Sequence, residues 1–243
     1  IIRKNGCLSN LQPGELDIRA QTVENEGSLY NESSFRNGVG TWNNSGELSS
    51  LIPISLNGNI VHNTGRFGGD VSVKASDTLI LGGSYNTDKR VKLEGQTIRV
   101  HSDISGNGDL SFSGKTLEFR NGALACKRLT LSDYERAEIG DTFRCFGQEA
   151  ETFKGQHTLC LGVAESAGRL SVEKSSETDV FENAGHLKAQ NIFVGPIKSL
   201  RNGKQLMAKN AAIKAKQFSI MPEGEVLVTE ELSLAPDVQV ENN

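Results

Sequence analysis

The chain has 243 residues with 26 Gly, 5 Pro and 36% hydrophobic residues, and 26 basic against 30 acidic residues give a net charge of -4. The apolar share is ample for a core and argues against global disorder, while scarce proline and the lack of a three-residue glycine register exclude collagen. The mild acidic excess predicts no nucleic-acid partner, and the absence of a run of 18 apolar residues predicts no membrane insertion.

The N-terminus reads Ile1-Ile2-Arg3-Lys4, without an initiator Met or a signal-peptide pattern. Neither end shows an amphipathic capping helix of the kind that closes repeat proteins. Both features predict a piece of a longer protein, with adjoining turns or domains of its parent chain as direct neighbours.

Short apolar-x-apolar pairs recur along the chain. From Phe35 to Leu131 the second position of the pair returns every 19 or 20 residues. The pairs are Leu16/Ile18, Ile52/Ile54, Val71/Val73, Val91/Leu93, Leu110/Phe112, Leu129/Leu131, Leu170/Val172, Ile192/Val194 and Leu232/Leu234, with Phe153 and Ile213 in the later gaps. A constant period of this length is typical of stacked repeat architectures.

Each pair is followed by two further apolar positions. The second set is Leu79/Leu81, Ile98/Val100, Leu117/Phe119, Ala137/Ile139, Leu159/Leu161, Val180, Leu200, Phe218/Ile220 and Val238/Val240. The third set is Leu29, Leu48, Tyr85, Ile104, Leu124, Phe143, Leu187, Leu206 and Val226. Three short strands in about 20 residues are the period of a parallel β-solenoid.

The turn residues agree, because Gly and Asn recur at predicted corners such as Asn57-Gly58, Thr64-Gly65 and Asn121-Gly122, where we expect positive φ angles. The best helical candidate is 204–216, but its apolar residues continue the strand phase. The sequence therefore predicts an all-β fold, a single-stranded right-handed parallel β-helix of about 12 rungs of 19 to 22 residues, with residues 1–243 as one solenoid.

An Asn-x-Gly-x-(Leu/Phe) motif repeats in 23–31, 42–48 and 61–67, with another copy at 183–187. It resembles the repeat regions of filamentous-haemagglutinin-like exoproteins of bacteria. The resemblance implies a right-handed β-helix exported to the cell surface or secreted, used as an adhesin or as a stalk that carries a toxin domain. The Asn-Pro-rich secretion-domain motifs of that family are absent from the chain, and four cysteines are more than its members usually carry.

Carbohydrate-active enzymes also use parallel β-helices. Asn86-Thr87-Asp88 matches the first polygalacturonase motif, although the remaining motifs are missing. Asp70, Asp88 and Asp109 follow one another at about one-turn spacing near Arg90, as a pectate-lyase-like calcium site would require. We favour the interpretation that these are turn residues beside strands, and predict no catalytic residue, no metal and no cofactor.

The other reactive side chains form no recognisable site. The histidines are scattered and are predicted to lie at the surface or at corners: His62, His101, His157 and His186. Cys7, Cys126, Cys145 and Cys160 contain no C-x-x-C motif. Cys126 and Cys145 are one turn apart and could either form a disulfide or fill the core, and we favour burial.

Two surface features leave alternatives open. Residues 196–222 carry only basic charges and residues 223–241 only acidic ones. The basic block could bind an anionic polysaccharide or lipid head group, but we favour charge pairing between neighbouring turns. Trp42 could stack on a sugar or join a buried aromatic ladder with Phe35.

Together these features predict a non-enzymatic structural or adhesive segment of a large secreted or surface-exposed bacterial protein. The partner would be a host glycan or a cell-surface protein. Two alternatives stay open: a pectate lyase-like or polygalacturonase-like enzyme, and the stalk of a polymorphic toxin.

Overall fold

A computed structural model describes residues 1–12, 14–86, 90–148, 151–176 and 179–242. These residues form strands β1 to β24, and no helix occurs among them. The strands pair in parallel and build a right-handed β-solenoid of about 12 turns, which confirms the predicted fold class. With neighbouring strands about 4.8 Å apart, the rod is about 50 to 55 Å long.

The strands form three ladders along the rod, and each turn passes through ladder A, then B, then C. Ladder A contains β1 (Cys7–Asn10), β3 (Ser28–Asn31), β7 (Ser84–Asn86), β10 (Ile104–Ser105), β13 (Leu124–Cys126) and β15 (Thr142–Cys145). Ladder B contains β8 (Val91–Glu94) and β11 (Asp109–Ser113). Ladder C contains β9 (Thr97–Val100), β12 (Thr116–Phe119), β18 (Val180–Asn183), β20 (Ser199–Asn202), β22 (Gln217–Ile220) and β24 (Gln239–Asn242).

The longer strands bend at a corner and belong to more than one ladder. Ladders A and B share β17 (Val163–Val172), β19 (His186–Val194), β21 (Gln205–Ile213) and β23 (Glu225–Leu234). Ladders B and C share β2 (Glu15–Asn25), β4 (Ser34–Asn44), β14 (Arg128–Ile139) and β16 (Glu151–Cys160). Strands β5 (Glu47–Asn63) and β6 (Arg66–Leu81) run through all three. Strand β21 covers residues 205–213 of the segment 204–216, and no residue of that segment is helical, so the prediction of strand is confirmed.

Stacked apolar side chains fill the interior along the rod, since each turn buries them only against its neighbours. Aromatic rings meet edge to face within and between turns. The centroids of Phe112 and Phe119, in one turn, are 5.1 Å apart, and those of Phe119 and Phe143, in different turns, are 4.9 Å apart. Trp42 is 1% exposed and lies between Val23 and Val61 in ladder C. The interpretation of Trp42 as a sugar-stacking residue is therefore wrong.

Buried asparagines form amide ladders in the interior. In ladder C, Asn25 Nδ2 donates to Asn44 Oδ1 at 2.6 Å, and Asn44 Nδ2 donates to Asn63 Oδ1 at 2.5 Å. The same column carries Asn183 and Asn202 further along the rod, joined by a 2.6 Å bond. Each amide thus satisfies a buried partner one turn away, so these polar side chains are tolerated inside the core.

One predicted register and two predicted strand phases are wrong. Ile54 pairs with Val71, and Leu56 with Val73, because β5 shifts register between Ser50 and Ile54. In β16 the inward residues are Thr158 and Cys160, whereas Leu161 is 47% exposed. In β18 the inward residue is Phe181, and Val180 faces outward.

Most of the glycine corners serve a different purpose from the one predicted. Within the described residues positive φ occurs at Asn5, Asn121, Asp133 and Gly69, so the expectation holds at Asn121 but not at the other glycine corners. At Gly65 a Cβ atom would instead overlap the carbonyl oxygen of Gly46 one turn below. Glycine is needed there because the backbones of neighbouring turns approach too closely for a side chain.

Candidate functional site

Asp70 and Asp109, the two members of the predicted carboxylate set that the structure describes, do not stack on each other. Val71, Val91 and Leu110 are successive neighbours in ladder B, so the residues that precede them are Asp70, Arg90 and Asp109. The next turn places Arg128 beside Asp109. Charges therefore alternate along this edge of ladder B. Asp88, like Thr87 of the predicted polygalacturonase motif, lies outside the described residues.

The outer face of ladder B carries a column of small hydroxyl side chains, one turn apart. We name it the hydroxyl column: Ser55, Ser72, Ser111, Thr130, Thr152 and Ser171. Lys92 interrupts it between Ser72 and Ser111 and forms an ion pair with Glu94. From Ser55 to Thr152 the hydroxyl groups are exposed or half-buried and can donate and accept hydrogen bonds at the strand spacing. Ser171 is only 4% exposed, and its hydroxyl accepts a hydrogen bond from Arg169 Nε at 2.8 Å.

Phe193 follows Ser171 on the same outer face. The guanidinium carbon of Arg169 lies 4.9 Å from the Phe193 ring centroid, and Lys214 Nζ lies 5.6 Å from it. A shallow groove of about 610 Å³ runs past this ring, lined also by Asn191, Asn210 and Glu231. The end of the hydroxyl column thus combines an aromatic ring, amides and charges.

The basic residues of 196–222 form ion pairs with the acidic residues of 223–241 only in part. Lys204 forms an ion pair with Glu223 in the next turn, as predicted. Arg201 instead contacts Glu182 in the preceding turn, with Nη1 3.3 Å from Oε1. Among the described residues, Lys198, Lys209 and Lys216 have no acidic partner within ion-pair distance. Exposed pairs of this kind contribute little to stability, so they mainly set the charge pattern of the surface.

The histidines lie at the surface, as predicted. His62, His101 and His186 are exposed, and His157 is half-buried with Nε2 3.4 Å from Glu182 Oε1. No group of three His, Cys, Asp or Glu side chains in the described ranges is arranged to hold a metal ion. Within the described part of the chain, no helix has the length and apolarity that crossing a membrane requires.

Three of the four cysteines lie in the core as free thiols, and only Cys7 is exposed. Cys126 and Cys145 are neighbours in ladder A, with their sulfur atoms 3.8 Å apart. Cys160 lies on ladder C, where burial raises the pKa of its thiol to about 12. The predicted burial of Cys126 and Cys145 is confirmed, and Cys160 is buried as well.

Sequence reasoning missed two buried carboxyl residues among the described ones, Asp179 and Glu151. Asp179 accepts hydrogen bonds from Ser175 and Ser176, whereas Glu151 is not satisfied in this way. Glu151 occupies an inward position of ladder B, between Leu129 and Leu170. It is 1% exposed, and neither carboxylate oxygen has a hydrogen-bond partner among the described residues. Burial raises the pKa of Glu151 to about 8. The two-residue alternation with Phe153 was the signal that could have found it.

No family model, curated protein or solved structure matches this chain. Glu151 is enclosed in the core, whereas the hydroxyl column from Ser55 to Thr152 and the groove beside Phe193 are open to a partner. The outer face of ladder B is therefore the candidate functional surface.

Proposed function

We propose that the chain is a structural or adhesive segment of a large secreted or surface-exposed bacterial protein, of the haemagglutinin-like type that its repeats resemble. The supporting observation is the stack of about 12 turns around one core, which gives a rod with long outer faces. Turns stacked in register keep side chains on one face at a fixed spacing. A rod of this kind can make many weak contacts with one extended ligand along a single face.

The outer face of ladder B is the surface that we assign to ligand binding, and a host glycan is the ligand that fits it best. Sugar hydroxyls need closely spaced donors and acceptors, which Ser111, Thr130 and Thr152 of the hydroxyl column supply in three consecutive turns. The groove beside Phe193 adds an aromatic edge, two amides and charged groups. Many weak contacts along one rigid face would add through multivalency.

The test is binding of the purified chain, coupled to beads, to an array of glycans and extracellular-matrix proteins. The Ser111→Lys/Thr130→Lys variant places bulky charges on the hydroxyl column, and we expect it to lose at least about tenfold of the binding. Thr97→Lys/Thr116→Lys is the matched control, since both threonines pair with each other on the outer face of ladder C. This control is expected to bind like the wild type.

The proposal of a glycan-binding face fails if no glycan is bound in a saturable manner, or if the two double variants bind equally well. Binding only to a protein of the array would move the assignment to a cell-surface protein. Uronate release from polygalacturonate is measured in parallel, with and without calcium. Release under either condition would support a carbohydrate-active enzyme instead of an adhesive segment.

A further inference from the structure

Cys126 and Cys145 are arranged as a pair of thiols in adjacent turns. They are direct partners in the parallel register of β13 and β15. Cys126 is 0% and Cys145 3% exposed, and their sulfur atoms lie 3.8 Å apart. Parallel neighbours at a spacing of about 4.8 Å fall within the Cα separation that a disulfide accepts, about 4.4 to 6.8 Å.

The other two cysteines are placed differently. Cys7 is exposed in the first turn, where its sulfur lies 3.3 Å from Ser9 Oγ. Cys160 belongs to ladder C, and its thiol donates to the carbonyl oxygen of Gly162 at 3.8 Å. The register therefore selects one pair among the four cysteines.

We propose that Cys126 and Cys145 form an inter-turn disulfide when the chain meets a low-molecular-weight disulfide such as oxidised glutathione. One protein thiolate attacks a sulfur of glutathione disulfide, releasing one glutathione thiolate and leaving a mixed disulfide. The second protein thiolate attacks the protein sulfur of that mixed disulfide and releases the second glutathione thiolate. The protein loses two protons and two electrons, and the electrons reduce glutathione disulfide to two thiols.

The bond is expected to form mainly while the turns assemble. The hydrogen bond with Cys126 and burial raise the pKa of the Cys145 thiol, so its reactive thiolate is scarce in the folded protein. The sulfur atoms are also closed off from a bulky oxidant once the core has formed. During refolding in a glutathione buffer, the oxidant can therefore reach both thiols before the core closes around them. This inference does not depend on the proposed adhesive function.

The test is the equilibrium constant for disulfide formation, measured in glutathione redox buffers for the folded chain and for the chain in concentrated urea. After quenching and alkylation, trypsin should yield residues 121–127 linked to residues 145–154, since Arg120, Lys127, Arg144 and Lys154 flank them. We expect the constant to be at least about tenfold larger in the folded chain, because the fold holds the two thiols together.

Cysteine variants test whether the disulfide joins Cys126 to Cys145 and no other pair. The Cys7→Ser/Cys160→Ala double variant should keep the linked peptide and lose about 2 Da on oxidation, as two thiol hydrogens leave. Cys145→Ser should lose the link, with Cys126 recovered in alkylated form. A folded-chain constant equal to or below that in urea would overturn the proposal. So would a main product that links Cys145 to Cys160 or to Cys7.

Discussion

Replacing Glu151 with Gln tests the burial of an uncompensated carboxyl group in the core. Glu151 stands where the neighbouring turns carry Leu129 and Leu170, and its oxygens have no hydrogen-bond partner among the described residues. Glutamine has the same shape but cannot ionise. The variant therefore separates the cost of the negative charge from the cost of a polar group at this position.

The size of the effect follows from the pKa. Burial raises the pKa of Glu151 from 4.5 to about 8, so between these values the folded chain keeps a proton that the unfolded chain releases. The stability contributed by this group is complete below pH 4.5 and is lost as the pH rises towards about 8. At about 1.4 kcal/mol per pH unit, the loss reaches about 5 kcal/mol at alkaline pH.

The assay is urea unfolding of the wild type and of Glu151→Gln, followed by circular dichroism at about pH 5, 7 and 9. We expect similar free energies of unfolding at the lowest pH and a growing advantage of the variant above it. Glu135→Gln is the control, since it removes an exposed carboxylate of the adjacent turn instead of a buried one. Parallel pH profiles of the wild type and Glu151→Gln would refute this account.

Two further predictions concern the interior and the corners. Asn44→Ala should lower the free energy of unfolding by about 2 kcal/mol, measured by urea titration, because Asn63 Oδ1 loses its donor and Asn25 Nδ2 an acceptor. A change under about 0.5 kcal/mol would contradict this role of the amide ladder. Gly65→Ala should cost about 2 kcal/mol or more by overlap with the backbone of the turn below, whereas Gly38→Ala should be nearly neutral, since no atom lies within 4 Å of its Cβ position. Equal thermal midpoints for the two alanine variants would count against close approach as the reason for glycine.

The period of the apolar residues was enough to predict the solenoid. Leu110 and Phe112 show why. Leu110 aligns with Val91 and Leu129, and Phe112 aligns with Leu93 and Leu131, which are their predicted equivalents in the turns before and after. In a solenoid the same inward position returns in every turn, so local alternation and long-range pairing carry the same information. For this reason the fold class followed from the sequence even though the exact register did not.

The prediction of the register was wrong where small polar residues replace apolar ones inside the core. In β16, Thr158 is buried because its hydroxyl bonds the Tyr134 hydroxyl at 2.6 Å, and Cys160 is buried beside it. The more apolar Leu159 and Leu161 then face outward. A shift of one residue moves every side chain of a strand to the opposite face, and hydrophobicity alone cannot detect a polar residue that is satisfied within the core.

The candidate surface was only partly predictable for a related reason. Sequence spacing suggested a stack of Asp70, Asp88 and Asp109, but register places Arg90 between the first and the last of them. Deviations of one or two residues in turn length decide which side chains become neighbours on the outside. The hydroxyl column was not recognised, because serine and threonine look like ordinary turn residues until the ladder register is known.

The amide ladders also bear on how the turns find their order during folding. In the column of ladder C, Asn25, Asn44 and Asn63 precede the apolar turns, and Asn183 and Asn202 follow them. A chain that skipped a turn while stacking would set an amide against an apolar side chain and leave it unpaired inside the rod, at a cost of about 1 to 3 kcal/mol. The two groups of asparagines therefore disfavour misaligned folding intermediates, although the rest of the sequence is repetitive.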